Sequence, residues 1–251
     1  MNPIDELLLA PLVAVALVFC RLGAALMLTP GLGEATIPAR LRLVFALIAS
    51  ISIQPLVLAA GAVPEHGMLI RFIIAELTAG LFLGALTRIY LLALDMVGSF
   101  MATQMGLSNA LVNDPITAQQ SAALTNLLGL AAVALIFAAG LDREFLEAFV
   151  GSYTLIPTGT FRPDSDAMQL FLRVLRQAMG LALQLSAPFA LYGTLFFATL
   201  GILSRLMPQL QVFFIAVPLQ LLAGTALLLV TVGFFFRIFL GTYGRFLAGF
   251  W

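Results

Sequence analysis

The chain has 251 residues, of which 62% are hydrophobic and 10% are charged. Soluble domains average about 25% charged residues, so the apolar excess predicts a membrane protein whose surface faces lipid or partner subunits. Twelve arginines balance twelve acidic residues and lysine is absent, so the charge does not favour nucleic-acid binding.

Apolar runs follow one another along the chain. A helix that spans a bilayer needs about 20 mostly apolar residues, because its backbone amides must be satisfied internally over about 30 Å. The runs cover residues 7–28, 43–63, 72–94, 96–113, 115–141, 177–204 and 206–236. With a polar break at residues 113–115, they predict an all-α membrane protein of about six long helices.

The most polar stretch, residues 142–176, divides the chain. Its prolines and glycine are typical of a turn-rich connection. We therefore predict a four-helix part over residues 1–160, and a connection with a C-terminal helical hairpin over residues 161–251. The hairpin turn is expected at Arg205, Pro208 and Gln209.

Four ionisable residues lie within the apolar runs, namely Arg21, Glu76, Arg88 and Asp95. Charged residues are costly in lipid and are therefore candidates for function. The alternative is a structural role, which we favour. Arg88 and Asp95 are seven residues apart on one helix face, and Arg21 either snorkels or pairs with a neighbouring helix.

Catalysis and metal binding find little support in the sequence. His66 lies in a polar loop, and Asp95 and Asp114 lack the glycine-framed setting expected of an intramembrane aspartyl enzyme. Cys20 and His66 are the single cysteine and histidine, which are too few for the common metal and haem sites. We expect no enzymatic activity, no metal and no cofactor.

Gly80 and Gly84 form a small-xxx-small pattern. Such a pattern lets two helix backbones approach closely, so it predicts a packing face. Replacement of either glycine by leucine is expected to block that approach.

Prolines and glutamines interrupt several apolar runs, at residues 54–55, 188, 208–211 and 218–220. Proline removes a backbone donor and clashes with the preceding turn, so these helices should be kinked or broken. In lipid, broken helices are tolerated only against protein or a water-filled cavity. The pattern therefore favours a subunit of an assembly around a conduit, although a purely structural kink is the alternative.

Residues 104–115 have no aromatic side chain and are rich in residues that favour an irregular backbone. They indicate a re-entrant or constricting element. Together with other segments they form a pattern along the chain: residues 104–108 with Asp114-Pro115, residues 205–213 with Pro218, and the early Arg21, Pro30, Pro38 and Arg40.

This pattern resembles FliR, the flagellar member of a bacterial export-apparatus family shared with injectisome type III secretion. The resemblance covers nearly the whole chain in the same order. It implies a structural pore subunit that builds an export gate with FliP-like and FliQ-like subunits, beside further membrane proteins of the apparatus. Unfolded flagellar proteins would leave the cytoplasm through this gate, in the bacterial inner membrane at the flagellar basal body.

The resemblance also implies an architecture of kinked hairpins within a helical hetero-oligomer. The N-terminal part would be similar to a FliP-like subunit, and the C-terminal hairpin to a FliQ-like one. The family's pore-plugging loop would correspond to residues 106–122. Its constriction residues would be Gly106, Leu107, Ser108, Asn109, Leu111, Val112, Asp114 and Pro115.

The apolar members of this loop would gate by excluding water. The alternative function is a small-solute or ion permease of the inner membrane. Stability of the purified chain without partners would favour that alternative.

Overall fold

The structure is a computed structural model that describes residues 3–34, 37–57, 68–107, 122–207 and 212–249. Within these ranges it contains seven α-helices and no β-strand. The helices are α1 (Pro3–Leu26), α2 (Ala39–Val57), α3 (Leu69–Gln104), α4 (Ala122–Ala138), α5 (Leu141–Leu155), α6 (Ser165–Leu206) and α7 (Val212–Ala248). The all-α fold is confirmed.

One difference from the sequence prediction is the length of α3. Residues 72–94 and part of 96–113 form a single helix of 36 residues. Asp95 separates the two apolar runs in the sequence, but one carboxylate neither removes a backbone donor nor restricts the dihedral angles, so the helix continues through it.

A second difference is α5, which lies in the stretch expected to be a turn-rich connection. Its first turn carries Asp142 and Glu144, and acidic residues there are favoured by the helix dipole. Its buried residues are Leu141, Ala148, Phe149 and Ser152. Their spacing is helical, and the surrounding charges concealed it. Of the residues up to 160, those that the structure describes therefore form five helices, where four were expected.

Four helices of the described chain, α2, α3, α6 and α7, are long and apolar enough to cross a membrane. The bent pair of α4 and α5 adds a fifth if it forms one span. The apolar part of α1, Ala10–Leu26, is shorter. Two apolar runs that the sequence separates at Asp95 thus contribute to one candidate span, α3.

The chain divides into two compact units, each made of separate segments. Unit 1 comprises Met1–Tyr90, Ile136–Leu175 and Gly244–Trp251, and unit 2 comprises Leu91–Leu135 and Arg176–Tyr243. The boundaries fall inside helices, so α3, α4, α6 and α7 each continue from one unit into the other. The division near residue 160, into a FliP-like part and a FliQ-like part, stays a prediction.

Helix α1 lies at the centre of the core of unit 1. All residues from Arg21 to Leu26 are buried, so the last two turns are covered on every side. The core cluster consists of Ala14, Val18, Leu22, Ala25 and Leu26 of α1, Ala46 and Ile53 of α2, Leu83 of α3 and Phe149 of α5.

Gly80 and Gly84 bring α3 against α1. A Cβ atom added at Gly80 would overlap the carbonyl oxygen of Arg21 and lie 2.9 Å from Ala24 Cβ. One added at Gly84 would lie 2.6 Å from the carbonyl oxygen of Ala25. The two backbones therefore approach within the same chain, and a side chain at either position would force them apart.

In unit 2, the C-terminal half of α3 lies along α4. The hydroxyl groups of Ser99 and Thr125 are 3.3 Å apart, and a Cβ at Gly98 would lie 2.9 Å from Thr125 Cα. Because α3 ends at Gln104 and α4 begins at Ala122, this contact brings the chain on both sides of residues 108–121 together.

We expect Gly80→Ala to destabilise the chain by about 1–3 kcal/mol, or roughly 2–10 °C for a chain of this size, because the added methyl group meets backbone atoms. The measurement is the midpoint of heat precipitation in detergent extracts of native membranes. Gly201→Ala is the matched control, since a Cβ there has no neighbour within 4 Å. Equal midpoints for the two variants would contradict the close α1–α3 approach.

Candidate functional site: a buried ion pair and a polar clasp

The most buried polar cluster of unit 1 is formed by Arg21 of α1 and Glu76 of α3. Both residues have no exposed surface. Arg21 Nε donates to Glu76 Oε2 at 2.7 Å, and Arg21 Nη2 donates to Glu76 Oε1 at 2.9 Å. This bidentate geometry is the strongest form of an arginine–carboxylate pair, and it cancels two charges that would be costly apart.

The guanidinium also binds the C-terminal end of α5. Nη1 and Nη2 each donate to the carbonyl oxygen of Ile156 at 3.1 Å, and Nη1 donates to Ser152 Oγ at 3.4 Å. The Tyr153 ring lies beneath, with its centroid 3.8 Å from Arg21 Cζ. Arginine thus supplies charge and donors to a helix end whose carbonyls lack partners in the helix.

Glu76 binds the segment that follows α5. Its Oε1 accepts a hydrogen bond of 2.8 Å from the backbone N–H of Gly159. Gly159 has a φ of 75°, and a Cβ there would overlap the Phe72 ring. Only glycine adopts this conformation without strain while it lies so close to an aromatic ring.

All donors of Arg21 and both carboxylate oxygens of Glu76 have hydrogen-bond partners. The five N–H groups of Arg21 match five hydrogen bonds, to Glu76, Ile156 and Ser152, which is the full donor capacity of a guanidinium. Both oxygens of Glu76 are engaged as well. The arrangement joins α1, α3, α5 and the segment after α5, so its geometry is that of a structural anchor.

Arg88 has a different environment. Its Nη1 lies 2.8 Å from Glu34 Oε1, with about a third of each side chain exposed. Arg42 lies at the start of α2, and its Nη2 donates to the carbonyl oxygens of Glu34 at 3.0 Å and Ile37 at 2.9 Å in the connection between α1 and α2. Arg42 and Arg88, from two different helices, thus both bind Glu34 in this connection. Glu34 was not recognised from the sequence.

Several predicted site residues are placed apart from this cluster. Asp95 lies on α3 in unit 2, and a Cβ at Gly129 of α4 would lie 3.8 Å from Asp95 Oδ1. Arg205 lies in the exposed last turn of α6. The other turn residues, Pro208 and Gln209, fall outside the described residues, as do six loop residues: Ser108, Asn109, Leu111, Val112, Asp114 and Pro115.

The described start of the predicted loop shows how α3 ends. Gly106 has a φ of 77°, its N–H donates to Thr103 O at 3.1 Å, and the N–H of Leu107 donates to Ala102 O at 3.0 Å. These two bonds form a Schellman motif, in which the left-handed residue is usually glycine. The motif satisfies two of the last carbonyls of the helix but leaves that of Gln104 without a partner in the helix.

Gln220 of α7 supplies that partner. The side-chain Nε2 of Gln220 donates to the backbone carbonyl of Gln104 at 2.8 Å. The backbone carbonyl of Gln220 accepts a hydrogen bond of 2.8 Å from the Tyr192 hydroxyl of α6. Gln220 is 3% exposed. We call Gln104, Tyr192 and Gln220 with their hydrogen bonds the polar clasp. It ties the end of α3 to both helices of the C-terminal hairpin within unit 2.

The clasp was only partly visible in the sequence. Gln220 stood out as a polar residue in an apolar run, but nothing in its neighbourhood indicated the Gln104 carbonyl, 116 residues away. Ser152, Gly159 and Glu34 lie in polar stretches, where such residues are ordinary. Their roles depend on contacts between distant segments, which a single sequence does not reveal.

Comparison with known proteins places the chain in a family. The sequence pattern of the family described as "Bacterial export proteins, family 1" matches residues 12–246. The chain is 36% identical to the flagellar biosynthetic protein FliR of Caulobacter vibrioides, over 85% of this chain and 86% of that protein. It is 30% identical to FliR of Bacillus subtilis, over 90% and 88% of the two chains.

A relative from another system is also similar. The Yop proteins translocation protein T of Yersinia pestis is 27% identical over 62% of this chain and 60% of that protein. The apolar helices, with Arg21 and Arg88 paired to Glu76 and Glu34, define an all-helical membrane protein. The chain belongs to family 1 of the bacterial export proteins, and its resemblance to FliR is confirmed.

Arg21→Met should destabilise the chain by about 3–5 kcal/mol, because it leaves the Glu76 carboxylate buried without its cation. Arg88→Met is the matched control: its partly exposed ion pair should cost at most about 1 kcal/mol. Arg21→Met/Glu76→Met should lose less than the sum of the two single variants, since no lone charge remains. Heat-precipitation midpoints in membrane extracts compare these variants, and equal losses for Arg21→Met and Arg88→Met would contradict the anchor.

Proposed function

We propose that the chain is a structural pore subunit of a flagellar type III export gate, built together with FliP-like and FliQ-like subunits. In this proposal it has no enzymatic activity, lies in the inner membrane at the basal body, and contributes to the conduit for unfolded flagellar proteins. Its family membership supports an export role. The similarity to FliR proteins at 36% and 30% identity supports the flagellar system.

Exposed apolar surface supports an assembled state. In the most apolar 18-residue stretch of each helix, 17% of the stretch is buried in α2, α6 and α7, against 39% in α3. Helix faces that expose so many apolar side chains are covered by lipid or by other subunits. The apolar side chains of α6 and α7 with more than 60% exposure are Leu183, Leu191, Leu195, Ile202, Leu206, Leu222, Leu229, Val230 and Phe234.

An exposed amide on α6 is the observation that carries the proposal for a conduit or a partner beyond lipid. Gln184 is exposed, and the exposed Gly180 lies one turn before it on the same helix face. Gln184 lies near the middle of this 42-residue helix. An amide facing hydrocarbon would cost several kcal/mol, so this face is suited to a partner subunit or to water.

The constriction assigned to residues 106–122 stays part of the proposal. Its described start is compatible with the role, because Gly106 ends α3 with a left-handed turn and α3 and α4 meet at Ser99 and Thr125. Leu107, Leu111 and Val112 would disfavour water in a narrow passage.

The first expected outcome concerns assembly. Expressed alone, the chain should be recovered in low yield and aggregate in detergent, because its exposed apolar and polar faces lack partners. Co-expression with FliP-like and FliQ-like subunits should restore a monodisperse complex that contains all three chains, detected by size-exclusion chromatography and native mass spectrometry. Co-expression with each partner singly is the control. A stable monomer that transports a specific solute would instead favour the permease.

The second outcome concerns closure. Cells with a deletion of Ser108 to Val112 should leak small ions or dyes across the inner membrane even when no export substrate is engaged. The reason is that the shortened loop presents fewer apolar side chains to the passage. Dye uptake measures the leak, after co-purification has verified assembly.

The control for this deletion keeps the loop length and its apolar character. Leu107→Ile, Leu111→Ile and Val112→Ile together should leave the membrane tight. If the assembled deletion variant stays as impermeable as the wild type and exports flagellar proteins at the normal rate, the loop does not close the passage.

A further inference from the structure

The N-terminal end of α2 combines uncompensated positive charge with an exposed apolar face. Arg40 is exposed at the second residue of the helix, and Arg42 lies on the side that contacts the connection from α1. We propose that this end of α2 binds an anionic phospholipid, with the headgroup phosphate at Arg40 and an acyl chain along the exposed face. The inference requires only that the chain lies in a membrane, so it is independent of the export role.

The first argument is charge. Arg88 is paired with Glu34, but within the described ranges Arg42 donates only to neutral groups, namely two backbone carbonyls and the Met27 sulfur at 3.7 Å. In the same ranges no hydrogen bond or ion pair joins Arg40 to another residue. Two positive charges thus remain without a counter-ion, and a phosphate matches the planar donor pattern of a guanidinium.

The second argument is the face of α2 on which Arg40 lies. Val44, Leu47 and Ile51 follow Arg40 at intervals of four, three and four residues, so the four side chains share one face. All four are exposed. The buried residues of this helix lie on the other side, and they are Ala46, Ser50 and Ile53. An exposed apolar strip therefore begins at a guanidinium, which complements the charged headgroup and apolar tail of a phospholipid.

The third argument is length. Helix α2 has 19 residues, which correspond to about 29 Å at 1.5 Å per residue and match the roughly 30 Å of bilayer hydrocarbon. A straight span of this length has Arg40 at the level of the headgroups. The strip from Arg40 to Ile51 is about 16 Å long, close to half of the hydrocarbon thickness. It therefore has the reach of one acyl chain in one leaflet.

The competing ligand is a carboxylate on a helix of a partner subunit. Between residues 43 and 51, every exposed residue of α2 is a large apolar one: Leu43, Val44, Phe45, Leu47, Ile48 and Ile51. Helices that pack together in a membrane favour small residues at the contact, because these let the backbones approach. The exposed face of α2 lacks them, so its side chains are suited to lipid.

The experiment measures the phospholipid that the full-length chain retains. Tagged protein from detergent-extracted native membranes is incubated with mixed micelles of dioleoyl phosphatidylglycerol and dioleoyl phosphatidylcholine, washed on an affinity resin, and analysed by mass spectrometry. Arg40→Gln should lower the retained phosphatidylglycerol per chain roughly fivefold, the factor expected for one arginine at an anionic lipid surface. Arg40→Lys keeps the charge and should retain most of the lipid.

Arg71→Gln is the matched control. Arg71 is likewise exposed in the first turn of an apolar helix, α3, but Ala75, one turn further on, is buried, so no continuous exposed strip follows it. Retention should therefore stay at the wild-type level. Equal losses in Arg40→Gln and Arg71→Gln would show a general attraction between arginine and anionic lipid, and would overturn the inference.

A second measurement uses the wild-type chain and does not depend on recovery of any variant. Added dioleoyl phosphatidylglycerol should raise the midpoint of heat precipitation, because a ligand of the folded state stabilises it. Dioleoyl phosphatidylcholine, dihexanoyl phosphatidylglycerol and inorganic phosphate should each raise it less, since they lack the net charge, the long chain or both chains. An equal effect of any of the three would overturn the inference.

The partner carboxylate has its own outcome. If Arg40→Gln retains phosphatidylglycerol normally but co-purifies with fewer partner subunits, the arginine binds protein, and the lipid site is wrong. Failure of the chain to assemble with FliP-like and FliQ-like subunits would overturn the proposed function and leave the lipid site standing.

Discussion

The buried pair of Arg21 and Glu76 is the interaction on which the organisation of unit 1 depends. Neither side chain has exposed surface, so each charge is tolerable only beside the other. The pair also determines which polar groups must lie around it. The remaining donors and acceptors require the Ile156 carbonyl, the Ser152 hydroxyl and the Gly159 N–H. A segment far along the chain is thus held by two charges on α1 and α3.

Unit 2 follows the same rule with neutral groups. The end of α3 is an obligatory source of carbonyls without helical partners, and the structure satisfies them by a left-handed glycine and by Gln220. Both units therefore place polar side chains where one segment would otherwise expose backbone groups inside an apolar environment. Polar contacts give the packing its register, while glycines at Gly80, Gly84 and Gly193 permit the close approach.

Composition and periodicity were sufficient to predict the class of fold, because long apolar runs have few alternatives in a bilayer. They also singled out Arg21, Glu76 and the pair of Gly80 and Gly84. They did not predict α5, since its helical spacing is obscured by charged residues at Asp142, Glu144 and Glu147. A pattern in sequence identifies residues that need a partner, but the partner's identity follows from the tertiary fold. Arg88 demonstrates this: the sequence places it on one helix face with Asp95, and in the structure its Nη1 lies 2.8 Å from Glu34 Oε1, on a distant segment.

The length of α6 has a consequence for how the chain relates to a bilayer. Its 42 residues correspond to about 63 Å at 1.5 Å per residue, roughly twice the thickness of the hydrocarbon layer. Transmembrane helices tilt by at most about 40°, and at that tilt a straight helix of this length still rises about 48 Å. Several turns of α6 then lie outside the hydrocarbon, where their apolar side chains meet water unless protein covers them. The mismatch between helix length and membrane thickness thus favours cover of these turns by protein.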